Sequence, residues 1–377
     1  MSRSIDSEVD MRVIRFRRRQ AVATAIAVFA TALLLSACGG SDNESSSSGS
    51  SGGGSAKDVN LAFVYPGTFA NFAQEMAIGA KAAADHTPGV HLVESAPPNN
   101  DGNAQVQLFQ NATQTSKDGI AWMTLFPELF IRPVQQVENS IPLVAVDVPP
   151  PAGTQITTFV GNSNTELGEA LANELFKQPS FDCSKGGEIL IGTDTPGLPV
   201  LEARNKGFSD TVAAKCPQVK FVNFDSKQTA TDNYNAWSAA VKAHPNALAY
   251  VGPGSEDATS LAQIQRKTGK KLLAGADDLD PIALQAVKDG YIFALISPEH
   301  WLKGYIAIKL LAENAQDGKD LPEGWWNPGY LVVNKDNIDE ILARQKNAQT
   351  RYDYFHEEAD KQLADPSQYV KPMSDIS

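Results

Sequence analysis

The chain has 377 residues, 42% of them hydrophobic, with 44 acidic against 32 basic side chains and a formal net charge of −12. So acidic a balance argues against a nucleic-acid partner and against electrostatic docking on anionic lipid, both of which reward clustered Lys and Arg. The length beyond the first 57 residues suffices for two lobes of ordinary domain size.

Arg12, Arg15 and Arg17-Arg18-Arg19 form a basic patch, and residues 21–35 are then apolar almost without interruption. A basic start, an apolar core and small residues at the cut site read as an export signal over 1–37. The apolar run falls short of the roughly 20 residues of a membrane-spanning helix. Leu35-Ser36-Ala37-Cys38 resembles the cleavage box of bacterial lipoproteins. That resemblance implies Cys38 as the lipidated first residue, anchored on the extracytoplasmic face of the cell membrane; an ordinary secretory signal is the alternative. Met1 and Met11 are both candidate starts. Residues 38–57, rich in Gly and Ser, cannot bury a core and read as a tether with a reach of roughly 25 Å. The leader carries six Arg and three acids, so its removal makes the chain three charges more negative, near −15.

From about Val59 short apolar runs alternate with amphipathic ones. The pattern predicts strands over 60–65, 91–95, 120–124, 143–147, 188–192, 219–224, 247–251, 271–274 and 292–296. Helices are predicted over 72–85, 103–116, 165–176, 201–215, 234–243, 258–268 and 281–288. The strands are near-continuous Val, Ile, Leu, Phe and Ala, as expected where helices cover both faces. Repeated strand–helix units mean parallel sheets with right-handed crossovers. One series starts at the first strand and a second after Gly161-Asn162. The fold class is therefore α/β, two doubly wound parallel-sheet lobes with ligand expected at the strand carboxyl ends. With Cys38 lipidated, Cys183 and Cys216 remain as an even pair in an oxidising compartment. Both lie at the N-terminal ends of neighbouring strands, so a disulfide is expected, two buried thiols being the alternative. Residues 339–361 read as a charged amphipathic helix.

Polar and aromatic residues collect at the strand ends. Tyr65, Phe69 and Phe72 follow the first strand, and Asp147 ends the fourth. Arg204 lies on the helix after Thr193-Asp194-Thr195, and Asp277-Asp278 and Ser297-Pro298-Glu299-His300-Trp301 close later strands. These pieces, together with Ile141-Pro142-Leu143-Val144-Ala145-Val146-Asp147, Arg204-Asn205-Lys206-Gly207-Phe208 and Ala286-Val287-Lys288-Asp289-Gly290, resemble the type I periplasmic binding proteins. Those are the ribose- and galactose-type sugar receptors of ABC importers, and the resemblance covers about residues 59–341.

The resemblance implies two lobes joined by three crossings near residues 161, 297 and 329 that close on ligand like a hinge. The N-terminal lobe would be 58–161 plus 298–328, the C-terminal lobe 162–297 plus 329–340, with a helical tail over 341–377. Phe72 matches the ring that stacks on sugar C–H groups, and Phe69 or Tyr65 would add a second wall. Asp147 matches the acid that accepts from sugar hydroxyls, and Arg204 the donor of the second lobe. Asp277 matches the second acid, with Asp278 in its place if the loop slips by one. Glu299 falls where the family often has glutamine, and Asn162 at the first crossing is a further candidate contact. His300 alone of the histidines is placed to reach the cleft; Trp237, Trp325 and Trp326 read as packing.

Three departures bear on the ligand. Val148 replaces an arginine, Gly252-Pro253-Gly254-Ser255 replaces an Asn-Asp pair, and Gln228 stands where an aromatic often lies. The pocket they imply differs from a ribose or pyranose site, and a smaller or linear polyol, or a modified sugar, is an option. The expected partners are a carbohydrate or polyol, ABC permease subunits and the membrane through Cys38. No nucleic acid, metal or cofactor is expected, and the chain is expected to be a monomer. A sensor presenting ligand to a chemotaxis or signalling partner, or a receptor for a non-carbohydrate solute, is the alternative. No His-Glu-x-x-His, Gly-x-Ser-x-Gly or phosphate-cradling motif is present, so no enzyme is expected.

Overall fold

The computed structural model describes residues 56–376. The export signal, Cys38 and nearly all of the tether lie outside these described residues. In chain order, β1 (Val59–Val64), α1 (Asn71–Asp85), β2 (Val90–Ser95), α2 (Gly102–Thr115), β3 (Gly119–Trp122), α3 (Pro127–Gln135), β4 (Leu143–Val146) and β5 (Thr158–Val160) form one series. The second comprises α4 (Asn164–Phe176), β6 (Gly187–Thr193), α5 (Pro199–Lys215), β7 (Val219–Asp225), α6 (Ala230–Ala243), β8 (Ala249–Gly252), α7 (Asp257–Thr268), β9 (Ala274–Asp277), α8 (Pro281–Lys288) and β10 (Ala294–Ser297). Then follow α9 (His300–Asp317), β11 (Gly324–Trp326), β12 (Leu331–Asn334), α10 (Ile338–Arg344), α11 (Ala348–Ala364) and β13 (Val370–Lys371).

Two sheets result. The first runs β2–β1–β3–β4–β5–β11–β13 and the second β7–β6–β8–β9–β10–β12. The first five strands of each repeat one order, with the same reversal beside the first strand of the series. All pairings are parallel except at one edge of each sheet, where β13 and β12 run antiparallel to β11 and β10. The α/β class and its two doubly wound lobes are therefore as the sequence pattern implies, with an antiparallel strand closing each lobe. Each sheet is covered on both faces. In the first, α1 and α9 lie on one side with Phe63 and Val144, while α2 and α3 lie on the other with Trp122 and Ala145. In the second, α4 and α5 face α6, α7 and α8 across the sheet.

Glycine lets the paired helices touch. A Cβ on Gly304 of α9 would lie 1.9 Å from the Met76 carbonyl oxygen of α1, and one on Gly168 of α4 would lie 1.9 Å from the Arg204 carbonyl oxygen of α5. Such approaches exclude any larger side chain, so the backbones pack directly. The Cys183–Cys216 bridge is present, with a Cα–Cα distance of 5.9 Å, and ties the loop before β6 to the end of α5.

Several regions differ from the sequence pattern, the unassigned strands β5 and β11 among them. The pattern assigns no element to 127–135 or 300–317. Pro127 sits in the first turn of α3, where its missing N–H costs nothing. α9 is buried nearly all round and so lacks an amphipathic period. Finally, β9 begins at Ala274, three residues later than predicted, because Ala274 pairs with Tyr250 of β8 while Lys270 and Lys271 stay exposed. The tail also departs from a helix alone. α10 packs on α8 and β12, α11 packs on α1 and α9, and β13 completes the first sheet.

Candidate functional site

The carboxyl ends of the two sheets face a shared cleft with a cavity volume of about 30 Å3, partly open to solvent. Phe72 enters it from the first turn of α1, Asp147 from the end of β4 and His300 from the start of α9. Arg204 enters from α5, Asp194 from the end of β6 and Asp278 from the end of β9.

The two acids at the strand ends are built alike. Asp147 and Asp278 both have positive φ, 65° and 67°. Each donates its N–H to the neighbouring strand, Asp147 to the Val160 carbonyl at 2.8 Å and Asp278 to the Ile296 carbonyl at 2.9 Å. The left-handed turn costs little for aspartate and points each carboxylate out of its sheet. Lys303, one turn into α9 and wholly buried, donates to Asp147. Its ammonium lies 3.3 Å from His300 Nδ1. The imidazole bridges the two acids, with Nε2 2.9 Å from Asp278 Oδ1 and Nδ1 3.7 Å from Asp147 Oδ1. One buried ammonium thus orients an acid on each lobe, the second through His300.

The charges follow from these contacts. Burial alone would raise the Asp147 carboxyl, but Lys303, then His300 and Arg204, overcome it and hold it at about 2. Asp278 is likewise held below the ordinary carboxylate range, burial being outweighed by His300 and Arg204. Asp194 behaves oppositely: burial and the Asp257 carboxylate push it up to about 8. Asp257 accepts from Trp237 Nε1 at 2.7 Å, Asn233 at 2.9 Å and the Gly254 N–H at 3.0 Å. This arrangement explains Gly252-Pro253-Gly254-Ser255. A Cβ on Gly252 would meet Asp257 Oδ2 at 2.3 Å, and one on Gly254 would meet Asp194 Oδ2 at 2.2 Å. The loop gives up side chains where two neighbouring carboxylates already stand.

Arg204 is fixed by Asn164 Oδ1 at 3.0 Å and the Pro253 carbonyl at 2.9 Å. Phe72 lies with its ring centroid 5.7 Å from that of His300. Of the residues proposed from the sequence, the structure therefore brings together Phe72, Asp147, Arg204 and His300.

It places the others elsewhere. Asp277 is the last residue of β9, lies behind Arg204 at 3.5 Å and does not line the cleft. Burial pushes it up to about 8 against the opposing arginine. The shift in where β9 begins makes Asp278 the acid of the turn. Glu299 turns to Arg344 at 3.2 Å, beside a separate small cavity. Asn162 donates to the Gly329 carbonyl at 2.6 Å, joining the first and third crossings. Tyr65 stacks on Phe63, and Phe69 is 38% exposed over Gly67. Lys303 had no sequence signal beyond being one cation in an apolar run, and Asp194 only its place at a strand end. Among the described residues no group of three or more His, Cys, Asp or Glu is arranged to hold a metal.

Two repeated doubly wound lobes with an acid, a cation and an aromatic ring converging between their strand ends define a two-lobe solute receptor. Residues 61–320 match the family described as periplasmic binding protein domain, and the chain belongs to that family, whose members bind solutes and are not catalysts. It is 27% identical to the D-allose-binding periplasmic protein of Escherichia coli over 63% of this chain and 78% of that protein. A solved ABC-transporter solute-binding protein from Burkholderia graminis, in complex with D-arabinose, is 27% identical. That likeness covers 75% of this chain and 97% of the other with a TM-score of 0.67. A solute-binding protein from Actinobacillus succinogenes with bound D-allose shares the fold at 20% identity and a TM-score of 0.66, over 75% of this chain and 100% of its own.

Proposed function

We propose that the chain is the lipid-anchored solute-binding subunit of an ABC importer, capturing a sugar or sugar alcohol in the cleft and delivering it to the permease. The observation that carries the reading is the convergence of Asp147, Arg204 and Asp278, from both lobes, beside the Phe72 ring. Carboxylates accept from hydroxyls, guanidinium donates to ring or hydroxyl oxygens, and an aromatic face packs on C–H groups. The D-arabinose complex of the Burkholderia protein and the D-allose receptor of Escherichia coli support the same class. Ligand would favour a closed arrangement only by as much as it prefers that state. The receptor works as a monomer on the outer face of the membrane, held by lipid on Cys38 and the 38–57 tether.

A thermal-shift and calorimetric screen of D-allose, D-arabinose, other sugars and polyols tests the ligand class. A ligand at 100 times its dissociation constant adds about 2.7 kcal/mol of stability. A response to amino acids or nucleosides with none to carbohydrates would overturn the class. Labelled palmitate incorporated into the wild type and absent from Cys38→Ser tests the anchor.

A further inference from the structure

Asn100 and Gln228 occupy corresponding places in the two lobes. Each lies in the loop after the second strand of its series, β2 or β7, and each immediately precedes the N-cap of the next helix, Asp101 of α2 or Thr229 of α6. Asp101 accepts from the Ala104 N–H at 3.0 Å and Thr229 from the Asp232 N–H at 3.4 Å, so both loops are held at their helix ends. The turn before Gln228 is fixed further. Lys227 has a positive φ of 71°, its N–H donates to Asp225 at 3.0 Å and its carbonyl accepts from Asn233 at 2.8 Å. The Asn100 side-chain amide donates to Gln228 Oε1, directly from one lobe to the other. Gln228 also lines the cleft.

β2 and β7 are edge strands, and the chain crosses between the lobes after β5, β10 and β11, towards the opposite edge of each sheet. Four strand spacings separate β2 from β5 and β7 from β10. At about 4.8 Å each they put the contact roughly 20 Å from the crossings. With that arm, an opening rotation of about 10° would part the two amides by about 3.5 Å, past hydrogen-bond reach. The His300–Asp278 contact, beside the crossing after β10, has a far shorter arm. We infer that Asn100 and Gln228 form a latch at the mouth of the cleft, made on closure and broken first on opening, that sets how long a bound solute is held. The inference rests on the cleft being the solute site and not on the solute being a sugar. A phenylalanine or tryptophan at 228 would offer Asn100 no strong acceptor, so glutamine in place of an aromatic residue is what makes the latch possible.

Stopped-flow release of D-allose, D-arabinose or another sugar that responds in the screen tests it on the purified protein. Asn100→Ala and Gln228→Ala each speed release by roughly two- to ten-fold, the effect of one neutral hydrogen bond, while association changes far less. The double variant releases no faster than the single ones, because both remove the same bond. That equality separates a latch from a Gln228 that acts only by touching solute, for which the two single effects differ and add. Unchanged release in both single variants, or additive effects, overturns the latch. A second arm needs no solute. In Asn100→Cys combined with Gln228→Cys, a short bis-maleimide joins the two loops, read by mass spectrometry as one linked peptide pair. Absence of that link, both without sugar and with saturating D-allose, overturns the latch. Should no sugar of the screen bind, a link that forms supports the latch and the carbohydrate reading alone falls.

Discussion

Lys303 is the residue on which most of the site's polar geometry depends. Removing one member of a buried ion pair leaves the other charge unpaired, at a cost of about 3–5 kcal/mol. Lys303→Met should therefore lower stability by that order in urea unfolding, and adding Asp147→Asn should recover part of it. Lys303→Arg should retain more ligand affinity than Lys303→Met. Asp194 makes a prediction of opposite character. Its folded-state value of about 8 lies above the usual carboxylate value of 3.8. The folded chain keeps a proton that the unfolded chain has released, so stability falls as pH rises from about 4 to about 8. Asp277 and Asp280, also raised to about 8, act in the same direction. Asp194→Asn should flatten, without abolishing, the decline in melting temperature across that window. Asp147 runs the other way, since its stabilisation is present above about 4 and is lost as pH falls toward 2. Asp147 and Arg204 were legible through the family resemblance, Asp147 at the end of an unbroken apolar strand and Arg204 just ahead of Gly207-Phe208. Lys303 was not, since its partner lies 156 residues away and no local period marks it.

At the level of elements, the contact of α4 with α5 sets the position of Arg204. Gly168→Ala would drive a methyl into the Arg204 backbone, so the helices must part and the guanidinium must leave Asn164. Overpacking of this kind costs roughly 1–3 kcal/mol or more. Both a lower melting temperature and weaker ligand binding are expected. The strands were readable because burial on both faces makes them uniformly apolar. α9 was not, for the same reason: a helix buried all round has no polar face to reveal its period. The register of β9, and with it the choice between Asp277 and Asp278, depends on pairing with β8 and could not be found within the segment itself.

The molecule as a whole holds together through links of different kinds. The Cys183–Cys216 bridge spans 33 residues and fastens the second lobe at the end of its sheet remote from the cleft. A loop of this length contributes on the order of 3–4 kcal/mol. The double Ser variant should unfold at correspondingly lower urea while keeping its ligand affinity, because the bridge does not touch the cleft. The two series of strands followed from the order of elements along the chain. The path of the tail did not, and the family match ends at residue 320, before α10 and α11 begin.

That tail passes from the second lobe to the first between Arg344 and Ala348, a short link beside the buried Arg344–Glu299 pair. α11 then covers Trp301 through Phe355 at 5.1 Å and holds Trp326 through Gln362 at 3.0 Å. In mechanical terms the molecule carries a check-strap across its own jaws, fixed to one by α10 and to the other by α11 and β13. If the lobes swing apart to admit a ligand, three residues of slack set the stop. A chain ending at Arg344 should show a larger ligand-free radius of gyration in X-ray scattering and red-shifted tryptophan emission, while the full chain changes little in size between its free and loaded forms.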